Sequence, residues 1–289
     1  MKRHGHNSGA LFLISPYVLF TLVIWIIPFI WGLWIALRKW NIISPQTEFV
    51  GVANFIKLFH DPLFYISLKN TLRFMVVFIP LVVLLSLLVA LMLQRIKTLQ
   101  AFFASGYLIS YVSAGVAYSV VFKILFSGEG PINNWLRSFG LEIPWFSSPA
   151  LAMFTIALMV TWKFLGYYAL IFLAGLQAIP HSLYESAELE GAGAWSRFWH
   201  ITLPLLNPSL VVVLVFAVML SFNLFTEPYI ITGGGPLDST QTPVMQIYYH
   251  TFETLHAGYG SGFAIVIAVI SFILVYGLKG VIEKDIAYT

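Results

Sequence analysis

Long apolar segments separated by short polar ones account for most of this chain. A helix needs about 20 residues to cross the hydrocarbon core of a bilayer. Six apolar segments reach that length, and they cover residues 11–37, 71–93, 102–126, 150–174, 205–231 and 263–282. The pattern predicts an all-α integral membrane protein with six transmembrane helices. It also predicts a short N-terminal tail, residues 1–10, ahead of a membrane domain at 11–289.

The first segment follows Lys2 and Arg3, so a cleaved signal peptide is the alternative to a retained span. A signal core holds about 7–15 apolar residues and ends at a small-residue cleavage motif. This apolar run is much longer, and no such motif follows it. We therefore expect a retained first span.

The composition agrees with a membrane protein and excludes several kinds of chemistry. Hydrophobic residues make up 59% of the chain and charged residues 9%, whereas about a quarter of a soluble domain is charged. The chain has no cysteine and a net charge of only +3, so neither a thiolate metal site nor a nucleic-acid partner is expected. No GxxxxGK[ST] motif occurs, so we expect no ATP or other cofactor on this chain itself.

The basic residues do not settle the orientation by themselves. With both termini cytoplasmic, seven cations would lie inside: Lys2, Arg3, Arg95, Lys97, Arg197, Lys279 and Lys284. Seven others would lie on or near the outer side: Arg38, Lys39, Lys57, Lys69, Arg73, Lys123 and Arg137. Because the positive-inside rule needs a difference in the number of basic residues between the two sides, the equal totals favour neither orientation. Only Lys2, Arg3 and the short QRIKT turn favour cytoplasmic termini.

One polar stretch, at about residues 177–204, separates the fourth and fifth apolar segments. Ser182 followed by Glu185 has the spacing of a capping box, in which each side chain bonds the other residue's backbone N–H. A short helix is predicted from there through Glu190, then a break at 191–193 and a second short helix at 195–200. Together they would form a compact knob on one membrane face. The alternative is a solvated connecting loop.

The same stretch carries a recognisable motif, made of Glu185, Ser186, Ala187, Gly191, Ile201, Leu203 and Pro204. It resembles the EAA loop of permease subunits of bacterial binding-protein-dependent ABC importers. Ser186 stands where the family has the alanine that follows the glutamate, an exchange of one small residue for another. The resemblance implies that the knob is cytoplasmic, and that these residues couple it to an ATPase subunit.

Further segments resemble the sugar-transporting branch of that family, in particular its MalF-like and lactose-permease-like members. These segments are FVGVANFIKLF, DPLFYISLKNTLRF, LAGLQAIP and YIITGGGP. The likeness covers nearly all of the chain after about residue 10. It implies a multi-pass protein of the bacterial plasma (inner) membrane with both termini cytoplasmic, acting as one permease subunit of an ATP-driven sugar importer.

The resemblance also implies the rest of an assembly. A second permease, expected to be a different MalG-like chain, would complete the pore, and two ATPase subunits would carry ATP and Mg²⁺. An extracytoplasmic solute-binding protein would deliver the sugar. A non-sugar solute such as a glycerol phosphate is an alternative substrate. An ion-coupled secondary transporter is an alternative class, but midplane coupling carboxylates and an internal repeat are not visible. A membrane-embedded enzyme is a second alternative class. It would need a nucleophile–base or metal-binding constellation in the spans, and none is visible in the sequence.

Lys163 lies near the middle of the fourth apolar segment, and Glu227 lies toward the outer end of the fifth. A charge at such depth is costly and usually faces a cavity or a partner. Aromatic and hydrogen-bonding side chains, which a sugar site requires, occur around them. The candidate substrate path comprises Lys163, Phe164, Tyr167, Ala217, Ser221, Asn223, Leu224 and Glu227. The alternative is that Lys163 snorkels to the membrane surface or pairs structurally, and that the tyrosines sit at packing interfaces.

Helical spacing places Ala217, Ser221 and Leu224 on one face of the fifth segment, with Asn223 and Glu227 on an adjacent polar stripe. His250, Glu253 and His256 could suggest a metal site. Residues six apart on a helix point in different directions, so solvated loop residues are expected there and no metal.

Overall fold

The computed structural model of the chain describes residues 5–44, 47–96 and 98–283, and it is mostly helical. Five helical segments in this part are long and apolar enough to cross a membrane: Leu13–Ala36, Pro62–Arg95, Ala152–Ala178, Asn207–Ile231 and Ala257–Ile282. The pair Gln100–Val112 and Gly115–Leu125 supplies a sixth span if it is counted as one. The all-α membrane fold is confirmed. Lys2, Arg3, Lys97 and Lys284 lie outside the described residues.

The described residues form helices of very different lengths and one pair of short strands. The long and medium helices are α1 Gly5–Thr21, α2 Ile27–Ala36, α4 Pro62–Arg95, α5 Gln100–Val112, α6 Gly115–Leu125, α8 Ala152–Ala178, α12 Asn207–Phe222 and α15 Ala257–Ile282. The short helices are α3 Ala53–Phe59, α7 Pro131–Arg137, α9 His181–Leu189, α10 Ala194–Arg197, α11 Leu203–Leu205, α13 Thr226–Ile231 and α14 Pro243–Tyr248. Strands β1 Arg38–Trp40 and β2 Thr47–Phe49 form an antiparallel pair, and π-helical turns cover Leu22–Ile26, Phe198–Thr202 and Tyr249–Glu253.

The third predicted span differs from the others because it is sharply bent. Helices α5 and α6 meet at an angle of 89°. Ser113 and Ala114 have extended backbone angles, with ψ of 141° and 126°. These angles interrupt the helical hydrogen bonding between α5 and α6. The bend brings Gly115 against α13, where a Cβ on Gly115 would lie 3.3 Å from the Cγ2 of Thr226. At the bend, the third span therefore contacts a distant part of the chain.

The described residues cluster into two compact units. The larger comprises Pro62–Met245 and the described residues from Ala268 onward. Its core is a face of α4 with buried residues at helical spacing, including Phe74, Phe78 and Val82, packed against α8 and α12. Small residues permit close approach between such helices, and at Gly166 of α8 a Cβ would lie 2.3 Å from a backbone oxygen of α5.

The smaller unit comprises the described residues up to Asp61 together with Gln246–Ile267. The Nδ2 of Asn54 donates to the carbonyl oxygens of Ala36 and Arg38 at 2.8 and 2.9 Å, which joins α3 to the end of α2 and to β1. The Tyr259 hydroxyl donates to Oδ2 of Asp61 at 2.6 Å. The apolar window of the first span has no buried residue, so within this chain that span is largely unpacked.

The predicted solvated character of the histidine loop is wrong for His250. Its ring is half-buried, stands edge-on to Tyr259 at 4.6 Å, and has an Nε2 atom without a hydrogen-bond partner. Burial lowers the pKa of His250, and the nearby charge of Asp61 partly opposes that shift. Among the described residues no group of three His, Cys, Asp or Glu could hold a metal ion.

Candidate functional site

The first half of the knob begins directly after α8. Ile179 and Pro180 are extended, and Pro180 occupies the N-cap of α9 without a side-chain hydrogen bond. The predicted capping box is therefore wrong, because the helix starts at His181 and Ser182 already lies inside its first turn. Glu185 instead accepts a hydrogen bond from Nδ1 of His181 at 3.0 Å, on an exposed surface.

The helix α9 ends at a glycine turn, at the predicted break. Gly191 has φ of +83°, in the left-handed region that favours glycine. Its N–H donates to the Glu188 carbonyl at 3.0 Å, and the Ala192 N–H donates to the Ala187 carbonyl at 2.9 Å. This pair of bonds is a Schellman motif. No heavy atom lies within 4 Å of the position that a Cβ on Gly191 would take, so the backbone conformation alone calls for glycine.

The second half of the knob folds back onto the first. Helix α10 continues into the π-helical turn Phe198–Thr202 and then into α11. Arg197 donates from Nη1 to Oε2 of Glu188 at 2.8 Å, and the hydroxyls of Tyr184 and Thr202 are 3.0 Å apart. These two links join the halves of what we call the knob, from His181 through Leu205.

The knob presents both polar and apolar side chains to its surroundings. Of the predicted coupling residues, Glu185, Ser186, Gly191 and Pro204 are exposed, while Ala187, Ile201 and Leu203 are partly buried. Leu189 and Trp195 are 90% and 74% exposed, and sequence reasoning did not single them out. The sequence signal that could have identified them is the presence of a leucine and a tryptophan in an otherwise polar segment.

The intramembrane charges form an ion pair. Lys163 lies near the middle of α8 and Glu227 in the first turn of α13, and Nζ and Oε1 are 2.9 Å apart. Both side chains are largely buried, at 12% and 7% exposure. A Cβ on Gly115 would lie 3.4 Å from the same Nζ. The pair thus stands where the bend of the third span meets the start of α13.

An aromatic cluster adjoins the ion pair. Tyr111 of α5 stacks on Tyr167 of α8 with ring centres 4.7 Å apart and planes 14° apart. Phe164 meets Tyr111 edge-on at 5.5 Å, and Phe216 of α12 lies 6.3 Å from Tyr167. Lys163 Nζ is 5.3 Å from the ring centre of Tyr118. Tyr111, Tyr118 and Phe216 were not predicted for this site. Tyr111 and Tyr118 lie on the bent third span, and Phe216 lies on α12 next to the predicted Ala217.

The remaining predicted path residues lie mostly inside the protein. Ala217, Ser221 and Leu224 are buried, and the Ser221 hydroxyl donates to the Ala217 carbonyl at 2.7 Å. Asn223 is exposed and donates from Nδ2 to the Met219 carbonyl at 2.8 Å. The predicted polar stripe of Asn223 and Glu227 is wrong, because the two residues do not share one helix. Helix α12 ends at Phe222, and α13 begins only at Thr226.

Several known proteins are similar to this chain. Residues 67–287 match the family described as "Binding-protein-dependent transport system inner membrane component". The chain is 39% identical over 226 residues to the sulfoquinovosyl glycerol transport system permease protein SmoG of Agrobacterium fabrum, covering 78% of this chain and 73% of that protein. It is 32% identical over 290 residues to the lactose transport system permease protein LacF of Rhizobium radiobacter, covering 96% of each.

The fold is also similar to that of a solved chain. A bacterial ABC transporter involved in the import of the acidic polysaccharide alginate superposes with a TM-score of 0.80, covering 98% of this chain and 100% of that one. At 22% identity this likeness shows the fold alone. Because the family match extends over most of the chain and relatives above 30% identity cover it widely, the chain belongs to the family of inner-membrane components of binding-protein-dependent transport systems.

Proposed function

We propose that this chain is one of two permease subunits of an ATP-driven ABC importer that moves a sugar delivered by an extracytoplasmic binding protein. The observation that carries the proposal is the knob. It is a compact body with exposed apolar and acidic side chains, and it follows α8 after only two residues. The sequence has no phosphate-binding loop of its own, so ATP and Mg²⁺ belong to two partner ATPases that dock on the knobs.

The substrate path lies beside the ion pair. Aromatic faces stack on the apolar faces of sugars, while polar groups bond their hydroxyls. Tyr167, Phe164 and Tyr111 supply such faces on α8 and α5. Because Glu227 already neutralises Lys163, the path offers no free cation at this point for a phosphate. This favours a neutral sugar over a glycerol phosphate.

The mechanism is alternating access driven from the knob. When the ATPases close on ATP, they carry the knob with them, and the attached spans rock between inward-open and outward-open arrangements. Helix α8 transmits the motion because it runs unbroken from the path residues to Ala178. The distance along α8 from Lys163 to Ala178 is about 22 Å at the usual helical rise per residue. A second, MalG-like permease completes the pore, and residues 11–289 form the permease domain.

The first prediction concerns coupling at the knob. Gly191→Val should lower ATPase co-purification and sugar uptake about tenfold, since a left-handed conformation costs an L-residue about 1–2 kcal/mol and more when the residue is β-branched. Gly193→Val is the matched control, because Gly193 has φ of −67° and also has open space around its Cβ position. Both quantities are measured in membranes with co-expressed ATPase. Equal behaviour of the two variants would show that the turn does not matter for coupling.

The second prediction concerns the ion pair. Lys163→Met and Glu227→Gln should each lower complex yield and thermal stability, because removing one partner of a buried pair costs about 3–5 kcal/mol. The double variant should recover most of the loss. Lys279→Met, which removes one side of the exposed ion pair with Glu283, is the control. Single variants with normal stability but a raised half-saturation constant would instead make Glu227 a substrate contact.

The third prediction tests the sugar path. Tyr167→Ala should raise the half-saturation constant for the transported sugar about two- to twelvefold, as expected for a lost aromatic contact of about 0.5–1.5 kcal/mol. Tyr167→Phe should keep most of the affinity. Tyr276→Ala, at a 71% exposed tyrosine of α15, should change nothing. The assay measures uptake over a range of sugar concentrations, with sn-glycerol 3-phosphate alongside. Unchanged kinetics in Tyr167→Ala would place the path elsewhere.

The fourth prediction concerns orientation. Both termini and the knob are proposed to be cytoplasmic. Cysteines introduced at Gly193 and at either end of the chain should react with an impermeant thiol reagent only after the membrane is opened. Cysteines at Asn134 and Asp238 should react in intact spheroplasts. The chain has no native cysteine, so labelling reports only the introduced sites. A Gly193 cysteine labelled in intact spheroplasts would reverse the orientation.

A further inference from the structure

A cavity of the larger unit lies away from the ion pair and the aromatic cluster. It has a volume of about 940 Å³ and lies between the N-terminal part of α4, the start of α8 and the turn at residues 237–239. Its lining includes Lys69, Leu72, Arg73, Val76, Phe154 and Ser239. Neither the substrate path nor the knob shares a residue with this cavity, which we call the α4–α8 groove.

The polar part of the α4–α8 groove is basic. Lys69 and Arg73 are four residues apart on α4 and therefore share a face of that helix. Both side chains are exposed, and among the described residues neither has an ion-pair partner. Asp238 also lines the groove, and its carbonyl oxygen accepts a hydrogen bond from Nδ2 of Asn70 at 2.7 Å. Two cations against one carboxylate leave a net positive charge.

The apolar part of the groove lies next to those cations. Leu72 and Val76 are also four residues apart on α4, and they are 53% and 73% exposed. Phe154, in the first turn of α8, is 40% exposed. The apolar segment of α4 predicted from sequence begins at residue 71, so Lys69 and Arg73 stand at the depth of the lipid headgroups. Such a junction of cations and exposed apolar side chains matches an anionic amphiphile.

A buried hydroxyl adds a third feature to the groove. Ser239 is only 7% exposed, and its Oγ has no hydrogen-bond partner. A buried hydroxyl without a partner is unfavourable, because it loses its bonds to water and gains none in return. Rotation of the Ser239 side chain toward the cavity would let its hydroxyl donate to a phosphate oxygen, in addition to the charge-assisted bonds from Lys69 and Arg73. The same residue lines the cavity that holds the two cations.

We propose that the α4–α8 groove binds an anionic membrane phospholipid. Its phosphodiester lies between Lys69 and Arg73, near Ser239, and an acyl chain lies along Leu72, Val76 and Phe154. The groove is at the start of α8 and the knob follows its end, so a cytoplasmic knob assigns the lipid to the outer leaflet. Only that choice of leaflet depends on the proposed function, whereas the chemistry of the ligand does not.

The test uses the full chain, purified with its co-purifying partners and stripped of lipid. Phosphatidylglycerol is titrated in and bound lipid is counted by native mass spectrometry. Phosphatidylethanolamine serves as the lipid without net charge, and inorganic phosphate as the soluble anion. Lys69→Gln and Arg73→Gln should each weaken phosphatidylglycerol binding about fivefold, as expected for one basic residue at a membrane surface. Lys69→Arg should bind as wild type does, and so should Lys123→Gln, the single-charge control outside the groove.

Preference for phosphatidylglycerol that is lost in both glutamine variants and kept in Lys123→Gln supports the lipid site. Equal binding of the two lipids, or unchanged binding in the glutamine variants, overturns it. Competition by inorganic phosphate at the concentration of the lipid would make the groove a soluble-anion site instead. A Val76→Cys variant that cross-links to the second permease would show that a protein covers the groove. Uptake is measured in parallel, so a failure of transport is distinguished from a failure of lipid binding.

Discussion

The ion pair between Lys163 and Glu227 is the contact on which the membrane-embedded part of the larger unit depends. Either charge alone would be costly in hydrocarbon, and the 2.9 Å contact offsets that cost. The pair requires α13 to start at Thr226, and that start requires the fifth span to break after Phe222. Gly115 packs against the same place, which requires the bend of the third span. One electrostatic contact and two helix breaks therefore form a single arrangement.

Helix α8 connects this arrangement to the membrane surface. It carries Lys163, Phe164 and Tyr167, and the knob begins two residues after its end. The knob is braced by the contact of Glu188 with Arg197 and by that of Tyr184 with Thr202. A braced body on the end of a continuous helix can transmit a displacement, whereas a flexible loop would absorb it. The layout suits a membrane subunit whose driving reaction occurs on another protein.

Local sequence was a good guide to most of the features that depend on neighbouring residues. The apolar runs predicted the spans, and the glycine turn appeared at residues 191–193, because helix termination at Gly191 needs only a left-handed residue. The capping-box prediction failed for an equally local reason. Pro180 occupies the N-cap, so α9 begins earlier in the chain than predicted, at His181. The exposed Leu189 and Trp195 were visible in the sequence, but exposure is a tertiary property.

The amino-acid sequence by itself determined that this protein crosses the membrane several times and carries a knob between its fourth and fifth spans. Apolar length and short-range turn chemistry are properties of consecutive residues, and they need no knowledge of the fold. Tertiary structure alone decided the partner of Lys163, which lies 64 residues away, the burial of Ser221, and the arrival of Tyr111 beside Tyr167. Each of these depends on how separate helices bend and pack, and periodicity within one helix does not contain that information.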